Sequence, residues 1–221
     1  MLSVIIPSLN AGPSLASALG ALIPGVVNGL IREVIVADGG STDATLAIAG
    51  DAGCTVLACP PGRGGQLARG AGAARSDWLL FLHADTVLGA GWDGEVAQFI
   101  ANDSRQAYAG VFRFALDDYS TQARRLELMV AMRCKLFGLP YGDQGLLIHR
   151  ALYAALGGYR DQPLMEDVDL IRRIGGKRLI YFRARALTSA ARYARAGYAR
   201  RSLRNLACLS LYFLRVPPRL I

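Results

Sequence analysis

Acidic side chains are missing from the last quarter of this chain. Residues 1 to 169 hold all 17 acids and 12 bases, while residues 170 to 221 hold 13 bases and no acid. A segment of net charge −5 is thus joined to one of +13, giving +8 in total. Such asymmetry points to an anionic partner for the tail, with nucleic acid, a membrane surface and a diphosphate as candidates. No nucleic-acid-binding module stands in the tail, and its bases alternate with apolar residues as they do on helices, so no nucleic-acid partner is expected. Cysteine is sparse and scattered. Cys54, Cys59, Cys134 and Cys208 lack CxxC spacing, which argues against a zinc site or a disulfide scaffold. We read them as reduced cytosolic thiols, mostly buried. No apolar run approaches the ~20 residues of a membrane-spanning helix. No basic start precedes an apolar segment, so the expectation is a cytoplasmic protein without a signal peptide. Repeats and low-complexity stretches are lacking too. With 221 residues, 52% of them hydrophobic, the chain suits one domain over residues 1–197 with a full core, followed by a helix in 198–221.

What is present is a series of apolar runs that end in polar residues. Trp78-Leu79-Leu80-Phe81-Leu82 leads straight into His83-Ala84-Asp85-Thr86. A continuous apolar run of this kind suits a strand buried on both faces of a parallel α/β sheet. Ligands of such sheets bind beyond the carboxyl ends of the strands, where Asp85 stands. An Asp there either caps the next turn or meets a hard cation shared with phosphate oxygens. Two more strand ends favour the second reading. Leu2-Ser3-Val4-Ile5-Ile6 is a β-branched strand that Pro7 is expected to stop, before Ser8-Leu9-Asn10. Glu33-Val34-Ile35-Val36-Ala37 ends in Asp38-Gly39-Gly40-Ser41-Thr42-Asp43, with Ser41 or Thr42 as N-cap of a helix from Ala44 to Gly50. Between these strands, Ser14 to Leu22 reads as a helix closed by Pro24 and Gly25. Strand, helix, strand, helix is the βαβ rhythm, and Gly-rich strand ends beside helix N-termini suit a nucleotide.

Taken in order, Val4-Ile5-Ile6-Pro7-Ser8-Leu9-Asn10, Asp38-Gly39-Gly40-Ser41-Thr42-Asp43, His83-Ala84-Asp85 and Glu166-Asp167 resemble the family 2 glycosyltransferases of the GT-A fold, and more narrowly a bacterial subgroup of short members. The resemblance spans roughly residues 2 to 195. It implies an α/β, Rossmann-like, mixed but mostly parallel sheet with helices on both faces. It further implies that Pro7, Asn10, Asp38 and Gly40 hold the donor nucleotide. The Asp-x-Asp strand end, here His83 and Asp85, would hold diphosphate and metal, and Glu166-Asp167 would carry the base. Two departures stand out. Gly39 follows Asp38 where the family has a second acid, and His83 replaces the first acid of Asp-x-Asp. His83 then suits a ribose hydrogen bond or a borderline metal ligand, and Asp85 is the metal ligand of choice for Mg²⁺ or Mn²⁺.

Pro60 to Ala74 contains five glycines with Arg63 and Arg69. It reads either as a solvated surface loop or as a backbone cradle leading into a helix from Gln66 to Ala74. The resemblance assigns Arg63 to the nucleotide and leaves Arg69 less defined. Further on, Trp92 to Ile100 reads as a helix, Tyr108 to Phe114 as a strand and Arg124 to Phe137 as a longer helix. The turn Pro140-Tyr141-Gly142-Asp143-Gln144-Gly145 falls on the acceptor side of the family fold, where Asp143 and Gln144 either meet acceptor hydroxyls or merely form a turn. Three acids at a helix start, Glu166, Asp167 and Asp169, suit the dipole alone. Inverting sugar transfer needs one carboxylate base, and the resemblance makes it Asp167, with Glu166 as its orienting neighbour or the alternative.

The expected activity is inverting transfer from a nucleoside diphosphate sugar, a UDP-sugar in the first instance, to an acceptor the sequence does not name. A nucleotidyltransferase is the rival enzyme, but it calls for a basic Gly-rich loop after the first strand, and no base precedes Arg32. A non-catalytic nucleotide-sugar-binding domain is the other rival, and Glu166-Asp167 argue against it. Tyr198 to Val216 reads as a basic amphipathic helix ended by Pro217 and Pro218. It either lies on an anionic membrane or packs on the domain or on a second subunit of a homo-oligomer.

Overall fold

The computed structural model describes residues 1–190, 193, 197–214 and 216. Its strands are Leu2–Ser8 (β1), Ile31–Asp38 (β2), Thr55–Ala58 (β3), Trp78–Phe81 (β4), Thr86–Leu88 (β5), Ala109–Leu116 (β6), Leu146–His149 (β7) and Leu179–Thr188 (β8). They form one eight-stranded sheet in the order β3-β2-β1-β4-β7-β6-β8-β5. β1 pairs in parallel with β2 and β4, β2 with β3, and β6 with β8, while β7 is antiparallel to β4 and β6, and β5 to β8. These senses bring the carboxyl ends of β1, β2, β3, β4, β6 and β8 to one edge. The amino ends of β5 and β7 join them there, and the crevice of an open α/β sheet lies at such an edge.

The helices are Gly12–Gly20 (α1), Ile23–Val27 (α2), Thr45–Asp51 (α3), Arg63–Ala73 (α4), Trp92–Ile100 (α5), Thr121–Phe137 (α6), Arg150–Ala155 (α7), Glu166–Ile174 (α8) and Tyr198–Phe213 (α9). They cover both faces of the sheet, and alternate strand residues show it. Leu2, Val4 and Ile6 pack with Leu15, Ala49, Trp92 and Val96 on one face, whereas Ile5, Leu79 and Phe81 pack with Leu67, Ala71 and Leu170 on the other. Every residue of β1 and β4 is buried, which is why their apolar runs do not alternate. Helix α4 sits close on β1, since a Cβ on Gly70 would lie 2.5 Å from Ile5 Cγ2. A separate cluster joins α6 to β6 through Phe114, Leu116, Leu126 and Val130.

The architecture agrees with the sheet expected from sequence; several boundaries do not. Pro7 lies inside a central strand, opposite Ala37. Pairing with β4 ends at Ile5 opposite Phe81, so at Pro7 the strand is paired on one side only and its missing N–H leaves no gap in a ladder. Pro24 opens α2 instead of closing α1, the position its fixed φ suits. Neither Ser41 nor Thr42 caps α3, whose N-cap residue is Ala44; Asp43 Oδ1 accepts from Thr45 N at 3.0 Å in their place. Helix α4 begins at Arg63, three residues before the expected start. Helix α9 follows the amphipathic pattern to Phe213, and the expected stop at Pro217 and Pro218 lies outside the described residues. Among the described residues no helix is long and apolar enough to cross a membrane. The four cysteines are unpaired, two of them buried and two partly so.

Candidate active site

Asp38 ties the loops after β1 and β2 together. Its Oδ1 accepts from Ser8 Oγ at 2.9 Å and from Ser41 Oγ, and its Oδ2 accepts from Gly40 N at 2.9 Å and Ser41 N at 2.7 Å. Burial pushes its carboxyl pKa up, but these bonds, led by Ser41, hold it below the usual carboxylate value. Asn10, at φ 50°, stitches the neighbouring loop. Its backbone N–H donates to Ser41 Oγ at 2.8 Å, and its Oδ1 accepts from Thr42 N at 2.9 Å. Asp43 accepts from Gly12 N at 3.0 Å across the same seam. The expected donor residues Pro7, Asn10, Asp38 and Gly40 therefore meet at one strand-end corner, with Asn10 and Gly40 exposed above the buried Asp38.

Helix α8 brings the acids. Met165, just before it, is a non-glycine residue in the left-handed region, at φ 63°, a conformation that costs energy and marks a turn fixed by its surroundings. That turn buries Glu166 completely and leaves Asp167 partly exposed. Glu166 pairs with Arg63 at the start of α4. Burial, then the neighbouring Asp167, pushes the Glu166 carboxyl upward against the pull of Arg63. Asp169 belongs to the framework, held by Arg160 at 3.2 Å and by Arg173 Nε at 3.0 Å.

Gly142 is where the acids of α8 and His83 after β4 converge. Its N–H donates to Asp167 Oδ2 at 2.7 Å, while Asp167 Oδ1 accepts from Val168 N at 2.7 Å. A Cβ on Gly142 would lie 2.6 Å from His83 Nε2 and 3.2 Å from Asp167 Oδ2. Only glycine lets α8 and the end of β4 approach this closely. Beside it, Asp143 is pushed up to about 6 by burial, reinforced by Asp167 and Asp85 and opposed by Arg133. Arg63, Glu166, Asp167, His83, Asp85 and Asp143 thus occupy one neighbourhood, as the sequence pattern expects of a single site.

Among the described residues no three His, Cys, Asp or Glu side chains form a ready-made metal cage. Two carboxylates within electrostatic reach, Asp85 and Asp143, with Oδ1 of Asp143 buried and without a hydrogen-bond partner, fit a different arrangement. A Mg²⁺-like cation is commonly held by one or two carboxylates and completed by substrate phosphate and water oxygens. The residues present fit that mode.

Several contributions were not read from sequence. Gln144, placed on the acceptor side there, is buried and turns inward: its Nε2 donates to Phe112 O at 3.0 Å and its Oε1 accepts from Tyr141 N at 3.4 Å. Gln66 is also buried, and its Nε2 donates to Ser8 O and Ala37 O, each at 2.7 Å, pinning the last carbonyls of β1 and β2. Arg133 of α6 stacks on Tyr141 with Cζ 3.5 Å from the ring centre. A polar residue inside an apolar helix face is the one sequence signal that Gln66 and Arg133 give.

Comparison with known proteins agrees with this geometry. Residues 3–162 match the family model described as "Glycosyl transferase family 2". A glucosyl-3-phosphoglycerate synthase of Mycolicibacterium paratuberculosis is 36% identical over 95 residues, covering 39% of this chain and 29% of the relative. The chain therefore spans under a third of the length of that curated relative. Among solved structures, S. aureus TarS 1–349 superposes with TM-score 0.64 at 17% identity, over 86% of this chain and 60% of that one. Glucosyl-3-phosphoglycerate synthase from Mycobacterium tuberculosis, in complex with Mn²⁺, UDP and phosphoglyceric acid, superposes with TM-score 0.55 at 22% identity, over 82% of this chain and 67% of that one. These two likenesses speak to the fold. With the family model covering most of the sequence, this chain belongs to glycosyl transferase family 2.

Proposed function

We propose that this protein moves a sugar from a UDP-sugar to an acceptor hydroxyl with inversion, assisted by Mg²⁺ or Mn²⁺, and that Asp167 is the base. The observation that carries this reading is the meeting of Asp167 and His83 across Gly142, at the carboxyl edge of the sheet. Family membership supports the reaction class. The UDP and Mn²⁺ held by the mycobacterial neighbour support the donor and the metal.

In this mechanism the corner of Asn10, Asp38 and Gly40 seats the nucleoside. Asp38, already saturated by its own loop, acts there by fixing exposed backbone and Asn10. Asp85, with Asp143 beside it, would hold the cation, which supplies charge stabilisation to the departing diphosphate. Arg63, at the N-terminus of α4, adds positive charge on the donor side. Asp167 takes the acceptor proton as the hydroxyl oxygen bonds to the anomeric carbon. The bond from that carbon to the diphosphate breaks, and its electron pair leaves with the nucleotide. Glu166 is fully buried and bound to Arg63, so it positions the donor side while the half-exposed Asp167 faces the acceptor. Residues 1–197 carry these parts, and α9 is an appended element.

The test is a thermal-shift panel of UDP-, GDP- and dTDP-sugars with and without Mn²⁺, since a ligand that binds only the folded form raises its stability. A Mn²⁺-dependent shift with UDP-sugars, lost in Asp85→Ala, is expected. An unchanged shift in folded Asp85→Ala removes Asp85 from the metal, and a response to nucleoside triphosphates alone overturns the reading.

A further inference from the structure

An apolar groove runs between α6 and α9, with a volume of about 980 Å³. Met129, Met132 and Leu136 line it from α6, and Leu203, Leu206 and Leu209 from α9. Met132 and Leu206 are 52% and 59% exposed, so the groove is open along its length. Two features separate it from an ordinary gap between helices. Tyr141 and Asp143 are among its lining residues, and both lie within electrostatic reach of Asp167, so the groove reaches the proposed reaction centre. At that end Arg133, also a lining residue, stacks on Tyr141, and its Nη2 is buried without a hydrogen-bond partner. A buried guanidinium nitrogen left unpaired costs free energy unless something accepts from it. Nearby Asp143 Oδ1 is likewise buried without a hydrogen-bond partner, although Arg133 lies within its electrostatic reach. The groove therefore offers hydrocarbon contact along most of its length and polar recognition at the end nearest Asp167.

We propose that the acceptor is a single-chain amphiphile: its hydrocarbon chain lies in the α6–α9 groove, and its head carries an anionic group at Arg133 and the reacting hydroxyl. This deepens the transferase reading and rests on it. Bond changes are those already written: the head's hydroxyl oxygen bonds to the anomeric carbon, its proton goes to Asp167, and the nucleoside diphosphate leaves. The exposed apolar residues of α9 are then substrate contacts. That accounts for a helix that buries only Leu209 among its described residues.

The experiment measures binding of octanoyl, decanoyl and dodecanoyl glycerol 3-phosphate, each below its micelle concentration, against glycerol 3-phosphate alone. In wild type the affinity should rise on the order of tenfold per two added methylenes, and headgroup alone should bind weakly. In Met132→Asp with Leu206→Asp the slope should flatten, while the UDP-sugar shift stays at its wild-type value. Both positions are exposed; Leu206→Gln provides a milder variant should the pair fail to fold. Equal binding across chain lengths overturns the proposal. So does a wild-type dimer that the paired substitution dissociates, which would make the groove a subunit interface. Sedimentation with anionic vesicles without binding of monomeric amphiphile overturns it in favour of a membrane seat. Loss of the UDP-sugar response in wild type would refute the transferase reading instead, and the chain-length series would then judge the groove alone.

Discussion

Replacing Asp143 by Asn removes a carboxyl whose ionisation the fold opposes. Burial pushes the Asp143 carboxyl up to about 6, so the folded protein keeps its proton well above the ordinary aspartate value of 3.8. Between those values the native state binds more protons than the unfolded chain, so stability falls as pH rises, and the loss is complete above about 6. The rise from 3.8 to about 6 corresponds to about 3 kcal/mol at most. Asp143 is only partly exposed, but one of its oxygens is sealed; discounting for solvent screening leaves about 1–1.5 kcal/mol. Asp143→Asn should therefore be more stable than wild type by that amount near neutral pH. Near pH 4, where Asp143 is protonated in the native state, the two proteins should nearly coincide. Urea unfolding in EDTA at the two pH values reads the difference directly. In a melting experiment on a chain this long it appears as a shift of roughly 2–6 °C. Added Mn²⁺ should narrow the gap at neutral pH, because a cation replaces the proton. An Asn variant that is less stable near neutrality, or equally different at both pH values, refutes the burial-and-repulsion account of Asp143.

Two further outcomes follow from the geometry of α8 and Gly142. Asp167→Asn keeps the shape but removes the proposed base and can accept only one of the two N–H bonds that Asp167 takes from Gly142 and Val168, so kcat should fall on the order of a hundredfold or more with donor binding near wild type; a larger loss of kcat in Glu166→Gln would move the base to Glu166. Gly142→Ala should fold, because the ion pairs of Glu166 and Asp169 are untouched, yet it places a methyl 2.6 Å from His83 Nε2 and 3.2 Å from Asp167 Oδ2 and should cut turnover at least about tenfold by misplacing these two side chains. Wild-type turnover in that variant would show that the close approach is incidental.

The donor half was legible in sequence because its signals are local. Buried parallel strands announce themselves as unbroken apolar runs, and β1, β2 and β4 fall where Val4-Ile5-Ile6, Val34-Ile35-Val36 and Leu79-Leu80-Phe81 place them. Their polar ends then had to meet, because parallel strands deliver their carboxyl ends to one edge. Pro7 was misread for a reason that only pairing reveals: a central strand is central along part of its length, and β4 stops pairing at Ile5. The capping of α3 was misread because Asp38 takes both the N–H and the hydroxyl of Ser41. A residue chosen as a cap by propensity was claimed by a buried carboxylate with more to gain.

The acceptor half was less legible because its parts are distant in sequence. Arg133 on α6 and Tyr141 in the following turn stack through side chains that no periodicity links, and the groove beyond them needs α9 to be laid against α6. Gln144 shows the same limit from the other side. A polar residue in a turn beside Asp143 looks like a ligand contact, but the backbone carbonyl of Phe112, one strand away, takes its amide. The division has a functional consequence. The donor corner is built from backbone bonds and buried strands, which leave little room for variation in what they hold. The proposed acceptor wall is built from the exposed faces of two helices, where single substitutions change shape and hydropathy without touching the sheet. Changes in acceptor preference should therefore be reachable through Met129, Met132, Leu203 and Leu206, while changes in the nucleotide would have to pass through Asp38 and the loops it ties.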